Sequence, residues 1–86
     1  MAATVEIYSS MLCGYCTAAK RLLDSKGITY TDIDVTFDSG LRAAMTERAD
    51  GRTSVPQIFI NDQGIGGCDE LYALDREGSL EKLLAA

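Results

Sequence analysis

Histidine and tryptophan are absent from the 86 residues, and proline occurs once. Without histidine, covalent haem attachment is excluded, because it needs a histidine directly after a Cys-x-x-Cys pair. Positive charge is also scarce: eight Lys and Arg against thirteen Asp and Glu leave a formal charge of -5. That balance argues against nucleic acid, whose phosphates need a basic stripe, and against an anionic membrane surface. No run approaches the roughly 20 apolar residues of a membrane span. "MAATVEIY" lacks the basic and long apolar regions of a signal peptide, so a cytoplasmic protein is expected. There are three cysteines, an odd number. In a chain without a secretory signal this speaks against a disulfide scaffold and for reduced, metal-binding or catalytic thiols.

What is present describes an ordinary soluble globule. With 47% hydrophobic and 24% charged residues, the chain can pack one real core, and residues 1–86 are expected to form a single domain. Val5 and Ile7 alternate with Glu6 and Tyr8 as a first strand, ended by Ser9-Ser10. From Tyr15 onward Ala18, Ala19, Leu22 and Leu23 fall at helical spacing, and Gly27 is placed to stop the helix. "ITYTDIDV" alternates again, with Thr29, Thr31, Ile33 and Val35 on one face. Strand, helix and strand in this order predict a crossover between parallel strands. Asp38 or Ser39 can cap a second helix carrying Leu41, Ala44, Met45 and Arg48 and closed by Gly51. "VPQIFI" is a third strand beginning at the proline, and "NDQG" is the turn of a hairpin whose second arm is the short "IGG". Asp69 is the expected cap of a last helix that Gly78 breaks. After Ser79, Leu80, Leu83 and Leu84 of "LEKLLAA" can cover the sheet. The order β-α-β-α-β-β-α implies a four-stranded mixed sheet with helices on both faces.

The chemistry sits in "LCGYC". Cys13 and Cys16 lie between the first strand and the first helix, where unpaired N–H groups and the helix dipole favour a thiolate. Such placement can lower a cysteine pKa from about 8.5 into a range of roughly 3.5 to 7.5. Cys13 is then the nucleophile and Cys16 the resolving thiol. Two other readings stay open on the pair alone. A structural zinc site needs four ligands, and only Cys68 remains as a third thiol. Two buried thiols with a packing role are the other.

Three spaced segments narrow the choice. "CGYC", "TSVPQIFI" and "GIGGCDELYAL" together resemble the glutaredoxins, small glutathione-dependent members of the thioredoxin superfamily, over about Val5 to Leu84. Thioredoxin itself is a poorer match, since its Trp-Cys-Gly-Pro-Cys becomes Leu-Cys-Gly-Tyr-Cys. The resemblance implies a thioredoxin-like fold and a cis bond between Val55 and Pro56. It implies glutathione contacts at Tyr15, Arg42, Ser54, Val55, Pro56, Gly67, Cys68 and Asp69. Val55 would pair with the tripeptide backbone like an added strand. Gly66 and Gly67 would allow close approach, and Cys68 and Asp69 would receive the γ-glutamyl carboxylate. Arg42 would meet the glycine carboxylate. The implied activity is reduction of protein disulfides and of glutathione mixed disulfides on glutathionylated proteins, carried out by a monomer. One departure is Ser10, where many members carry lysine; thiolate stabilisation then leans on the helix end. The alternative the family raises is a 2Fe-2S cluster held in a homodimer by Cys13 of each chain and two glutathiones, with Gly14 replacing the common proline.

Overall fold

In the computed structural model, described for residues 3–85, the elements run β1 (Val5–Ser9), α1 (Gly14–Ser25), β2 (Thr31–Asp34), α2 (Ser39–Arg48), β3 (Gln57–Ile60), β4 (Gln63–Gly66), α3 (Cys68–Glu77) and α4 (Ser79–Ala85). Residue 86, the end of the expected last helical segment, lies outside the described residues, as do residues 1 and 2. The sheet order is β2-β1-β3-β4; β1 and β2 are parallel, and the two other pairs are antiparallel. The expected mixed sheet and parallel crossover are therefore both present.

Alternation along β1 and β3 divides the core in two. Val5, Ile7, Ile58 and Ile60 face α1, α3 and α4, packing with Ala19, Leu23, Leu71 and Leu80. Leu83 and Leu84 join that cluster, so the final leucines cover the sheet as their spacing predicts. Tyr8 and Phe59 point the other way and meet Val35, Met45 and Ala49. Met45 is the one fully buried anchor of α2. Truncating such a side chain to alanine costs about 2–5 kcal/mol.

Several boundaries differ from the sequence expectation, each for a local reason. β2 begins at Thr31 rather than Ile28, because Ile28 donates its N–H back to the Leu23 carbonyl at 3.0 Å and completes the exit of α1. It is also an edge strand, so Thr29 and Thr31 are exposed while Ile33 and Val35 turn to the α2 side. β3 starts at Gln57, after Pro56, which has no N–H to give a ladder. The hairpin turn needs only Asn61 and Asp62, with φ of 51° and 67°, so Gln63 and Gly64 are already in β4. Asp38 caps α2 as expected, its Oδ1 accepting from the Leu41 N–H at 2.9 Å. The cap of α3 is Gly67 and not Asp69. Glu70 at the third helical position reaches back to accept from the Gly67 N–H at 2.7 Å, which draws Cys68 and Asp69 into the first turn.

Topology then gathers the chemistry. β1 runs into the Cys13 loop, and β2, parallel to it, runs into the loop holding Phe37 at the same end. The antiparallel β3 starts at that end after Pro56, and β4 finishes there before Gly67. Four segments distant in sequence thus lie side by side in the order of their strands.

Candidate active site

Cys13 is the N-cap of α1, in extended conformation, and its Sγ accepts the Cys16 N–H at 3.1 Å. The first turn of α1 carries no acidic residue, so nothing opposes the positive end of the helix dipole at this sulfur. Cys13 and Cys16 form a disulfide, with Cα atoms 5.2 Å apart. The two sulfurs are not equivalent. Cys16 is 1% exposed and sits against the core, whereas Cys13 is partly open to solvent. A partner can reach Cys13 first, and Cys16 lies one turn behind it.

The Val55–Pro56 bond is cis, and the Val55 carbonyl oxygen lies 3.8 Å from Cys13 Sγ. Gln57, itself buried, donates its Nε2 to the Ser54 carbonyl at 3.0 Å and so pins the turn before the proline. Gly67 approaches from the other side: a Cβ there would stand 3.2 Å from the Pro56 carbonyl oxygen. Gly66 has φ 106°, where a side chain would be strained, and a Cβ there would also displace Glu70, whose Cγ would lie at 2.8 Å.

Between these walls runs a groove of about 220 Å³, one of whose lining residues, Val55, lies against Cys13 Sγ. Tyr15, 68% exposed, borders it from α1, Ser54, Val55 and Pro56 form one side, and Gly67, Cys68 and Asp69 form the other. The first-turn N–H groups of α3 have no partner within the helix and are free to donate on that side, in a turn that also carries the Asp69 and Glu70 carboxylates. Cys68 is a buried wall of the groove; burial, reinforced by the nearby Asp69 and Glu70 charges, pushes its thiol up and keeps it protonated. That state suits a wall better than a nucleophile.

Seven of the eight residues that the resemblance assigns to glutathione therefore converge. Arg42 does not line the groove; its Nη1 donates to the Thr53 carbonyl at 3.2 Å, just before Ser54. Two residues that sequence reasoning passed over line the groove instead: Arg52 and Glu70. They form a half-exposed ion pair at 3.0 Å. The Gly67 N–H, followed by the Arg52 guanidinium, holds the Glu70 carboxyl below its ordinary range. The signals were available, since Glu70 stands three positions after Gly67 in a capping pattern and Arg52 stands two before Ser54.

Among the described residues no helix is long and apolar enough to cross a membrane, and no group of three or more His, Cys, Asp or Glu converges to hold a metal ion.

Comparison with known proteins agrees with this geometry. The profile of the glutaredoxin family matches residues 5–65. Glutaredoxin 3 of Escherichia coli is 51% identical over 82 residues, covering 95% of this chain and 98% of that protein. A probable glutaredoxin of Synechocystis is 53% identical over 83 residues, covering 96% of this chain and 76% of that one. A solution structure of glutaredoxin from Brucella melitensis superposes with a TM-score of 0.82 at 49% identity, over 94% of this chain and 87% of that chain. A crystal structure of a buckwheat glutaredoxin–glutathione complex superposes with a TM-score of 0.86 at 32% identity, over 96% of this chain and 77% of that chain. The four-stranded mixed sheet flanked by helices is thus the thioredoxin-like fold.

Proposed function

The chain belongs to the glutaredoxin family, and from that premise we propose that it is a glutathione-dependent thiol-disulfide oxidoreductase acting on protein disulfides and on glutathione mixed disulfides. The observation that carries this reading is the asymmetry of the disulfide: Cys13 open at a helix N-terminus beside a groove, Cys16 buried behind it. The solved complex of the buckwheat relative with glutathione supports the choice of thiol.

In the reduced protein the Cys13 thiolate attacks the glutathione sulfur of a glutathionylated protein. An S–S bond forms to Cys13, the old S–S bond breaks, and the substrate cysteine leaves as a thiolate that takes up a proton. A second glutathione thiolate then attacks the mixed disulfide on Cys13 and departs as glutathione disulfide. For a protein disulfide, Cys13 bonds to one substrate sulfur and the Cys16 thiolate displaces it, leaving the Cys13–Cys16 bond present here. Two glutathiones return that bond to thiols.

The groove would hold the tripeptide half. Val55 would offer its backbone as to an added strand, and the first turn of α3 would take one carboxylate. Ser10 brings no cation and Arg42 is engaged at Thr53. Arg52, the one basic residue among those lining the groove, is therefore the partner assigned here to a second carboxylate. The reading requires a compartment with a reducing glutathione pool, and we place it in the cytoplasm.

Cysteine variants test the assignment. Cys13→Ser should abolish both activities, and Cys16→Ser should keep reduction of glutathione mixed disulfides while losing dithiol reduction of protein disulfides. Turnover by Cys13→Ser would remove Cys13 as the nucleophile.

Gly14 supports a second reading. A Cβ at Gly14 would meet nothing within 4 Å, so packing does not demand glycine, and its N–H and loose turn stay available beside Cys13. A 2Fe-2S cluster would take Cys13 from two copies of the chain and two glutathione thiols, since Cys16 and Cys68 are buried and Cys13 is the accessible cysteine. Anaerobic reconstitution with iron, sulfide and glutathione is the check, and a colourless monomer would dismiss the cluster.

A further inference from the structure

The Cys13 end of the sheet has two sides, and the glutathione reading uses only one. The groove lies over β3 and β4. On the β2 side are apolar side chains with no role in that reading: Met11 is 59%, Leu12 103% and Phe37 92% exposed. Scattered apolar residues on a surface need no explanation, but Met11 and Leu12 directly precede the nucleophile, and the bond from Met11 to Thr36 brings the Phe37 loop alongside them.

Two observations show the patch to be held in place. Leu12 has φ 58°, the left-handed conformation that a branched, non-glycine residue adopts at a cost, and it is spent on presenting a side chain fully to solvent. The Met11 N–H donates to Thr36 Oγ1 at 2.8 Å, and the Thr36 N–H donates to Asp34 Oδ1 at 2.9 Å. The Cys13 loop and the Phe37 loop are thereby tied into one surface.

We infer that this patch is the docking surface for the protein half of a mixed disulfide, and that it fits an extended segment with an aliphatic or aromatic side chain next to its reacting cysteine and a lysine or arginine beyond. The inference rests on the assignment of Cys13 as nucleophile and of the groove to glutathione. Continuity with the reacting sulfur supplies the first argument. The substrate sulfur is bonded to the glutathione sulfur that Cys13 attacks, and as the in-line leaving group it lies about two S–S bond lengths, about 4 Å, from Cys13 Sγ. The two halves of one disulfide cannot share the groove. The half outside it lies on the surface next to Cys13 away from the groove, where Met11 and Leu12 precede the nucleophile and the bond from Met11 to Thr36 holds the Phe37 loop. Charge supplies the second. Asp34 and Asp38 flank Phe37 and residues 34–39 contain no basic side chain, while Lys20, the cation that acts on Asp34, is already paired with Asp32 at 2.8 Å. Hydrogen bonds from Thr36 hold the Asp34 carboxyl below its ordinary range, so it stays charged. A neutral or basic segment is favoured over an acidic one. The patch adds no redox step; it determines which protein thiol is released fastest.

Two glutathionylated peptides provide the test, identical except for leucine or serine beside the cysteine and each carrying flanking lysines. Glutathionylated free cysteine serves as the small substrate. The unaltered protein should favour the leucine peptide in kcat/KM by about tenfold, the order expected for covering one such side chain. Phe37→Ser should shrink that ratio to below about twofold, and Phe37→Leu, which keeps an apolar side chain, should preserve it. Taking the ratio within each variant removes any general loss of activity. Equal kcat/KM for the two peptides, or a preference that survives Phe37→Ser, would overturn the docking surface. Failure of the unaltered protein to turn over glutathionylated cysteine would instead overturn the proposed function itself.

Discussion

Glu70 joins the fold to the groove, and replacing it separates two contributions. Its Oε1 accepts the Gly67 N–H at 2.7 Å and the Arg52 Nη2 at 3.0 Å. Glu70→Ala removes a helix-capping bond worth about 1 kcal/mol and a half-exposed ion pair worth about 0.2–1 kcal/mol. A total near 1.5 kcal/mol should lower Tm by about 6–12 °C in a domain of this size. Glu70→Gln keeps an acceptor for Gly67 and loses the charge, so its deficit should be about 0.5 kcal/mol, or roughly 2–4 °C. The pH dependence distinguishes them further. Because the folded protein holds this carboxyl below its ordinary range, its charged-state stabilisation is complete above the unfolded carboxylate value near 4.3. It is lost as pH falls through the lower folded value. Calorimetry of the three proteins from pH 7 to pH 2 should show the gap between Glu and Gln closing in acid, while the Ala deficit at Gly67 partly remains. Glu70→Ala melting with the unaltered protein at pH 7, or a gap to Gln undiminished at pH 2, would refute the reasoning. Both substitutions should also raise KM for glutathionyl substrates with little change in kcat, because Arg52 loses the partner that holds it at the groove.

The opposite face of the sheet offers an independent check. Arg48 forms a two-pronged pair with Glu6 at 3.0 and 3.3 Å, donates to Tyr8 Oη at 3.0 Å, and lies 4.0 Å above the Phe59 ring. Arg48→Ala should cost about 2 kcal/mol and lower Tm by roughly 8–16 °C; a thermal scan with no shift would mean that the guanidinium gains nothing from this setting. Leu12→Gly relieves the left-handed strain but loosens the unfolded chain, so stability should rise by only about 0.5 kcal/mol. A chemical denaturation midpoint that falls would indicate that the Leu12 side chain contributes packing.

Cys13 and Cys16 were legible because their chemistry depends on a local arrangement, strand then cysteine then helix, which spacing and end signals reveal. The hairpin was legible for the same reason, although its turn closes at Asn61-Asp62 and not over Asn61 to Gly64, and so was the α2 cap, with Asp38 taking it rather than Ser39. The cap of α3 was misplaced by two positions, because Glu70 reaching back to Gly67 outweighs the intrinsic capping preference of Asp69. Strand β2 was overextended because alternation continues through Ile28 to Tyr30, and only the bond from Ile28 to Leu23 spends those residues on leaving the helix.

What the sequence by itself determined is which residues react and in what order the elements run, since hydrophobic period, turn chemistry and helix ends act over short distances. What only the tertiary structure decided is who stands next to Cys13. Residues 11–16, 36–37, 54–56 and 67–70 meet because one parallel and two antiparallel pairings bring four chain segments to one end of the sheet. That same geometry turned Arg42 onto Thr53, gave the groove Arg52 and Glu70, and set Thr36, next to Phe37, against Met11. Contacts between residues some 20 to 50 positions apart are fixed by strand register and packing, and no local pattern encodes them.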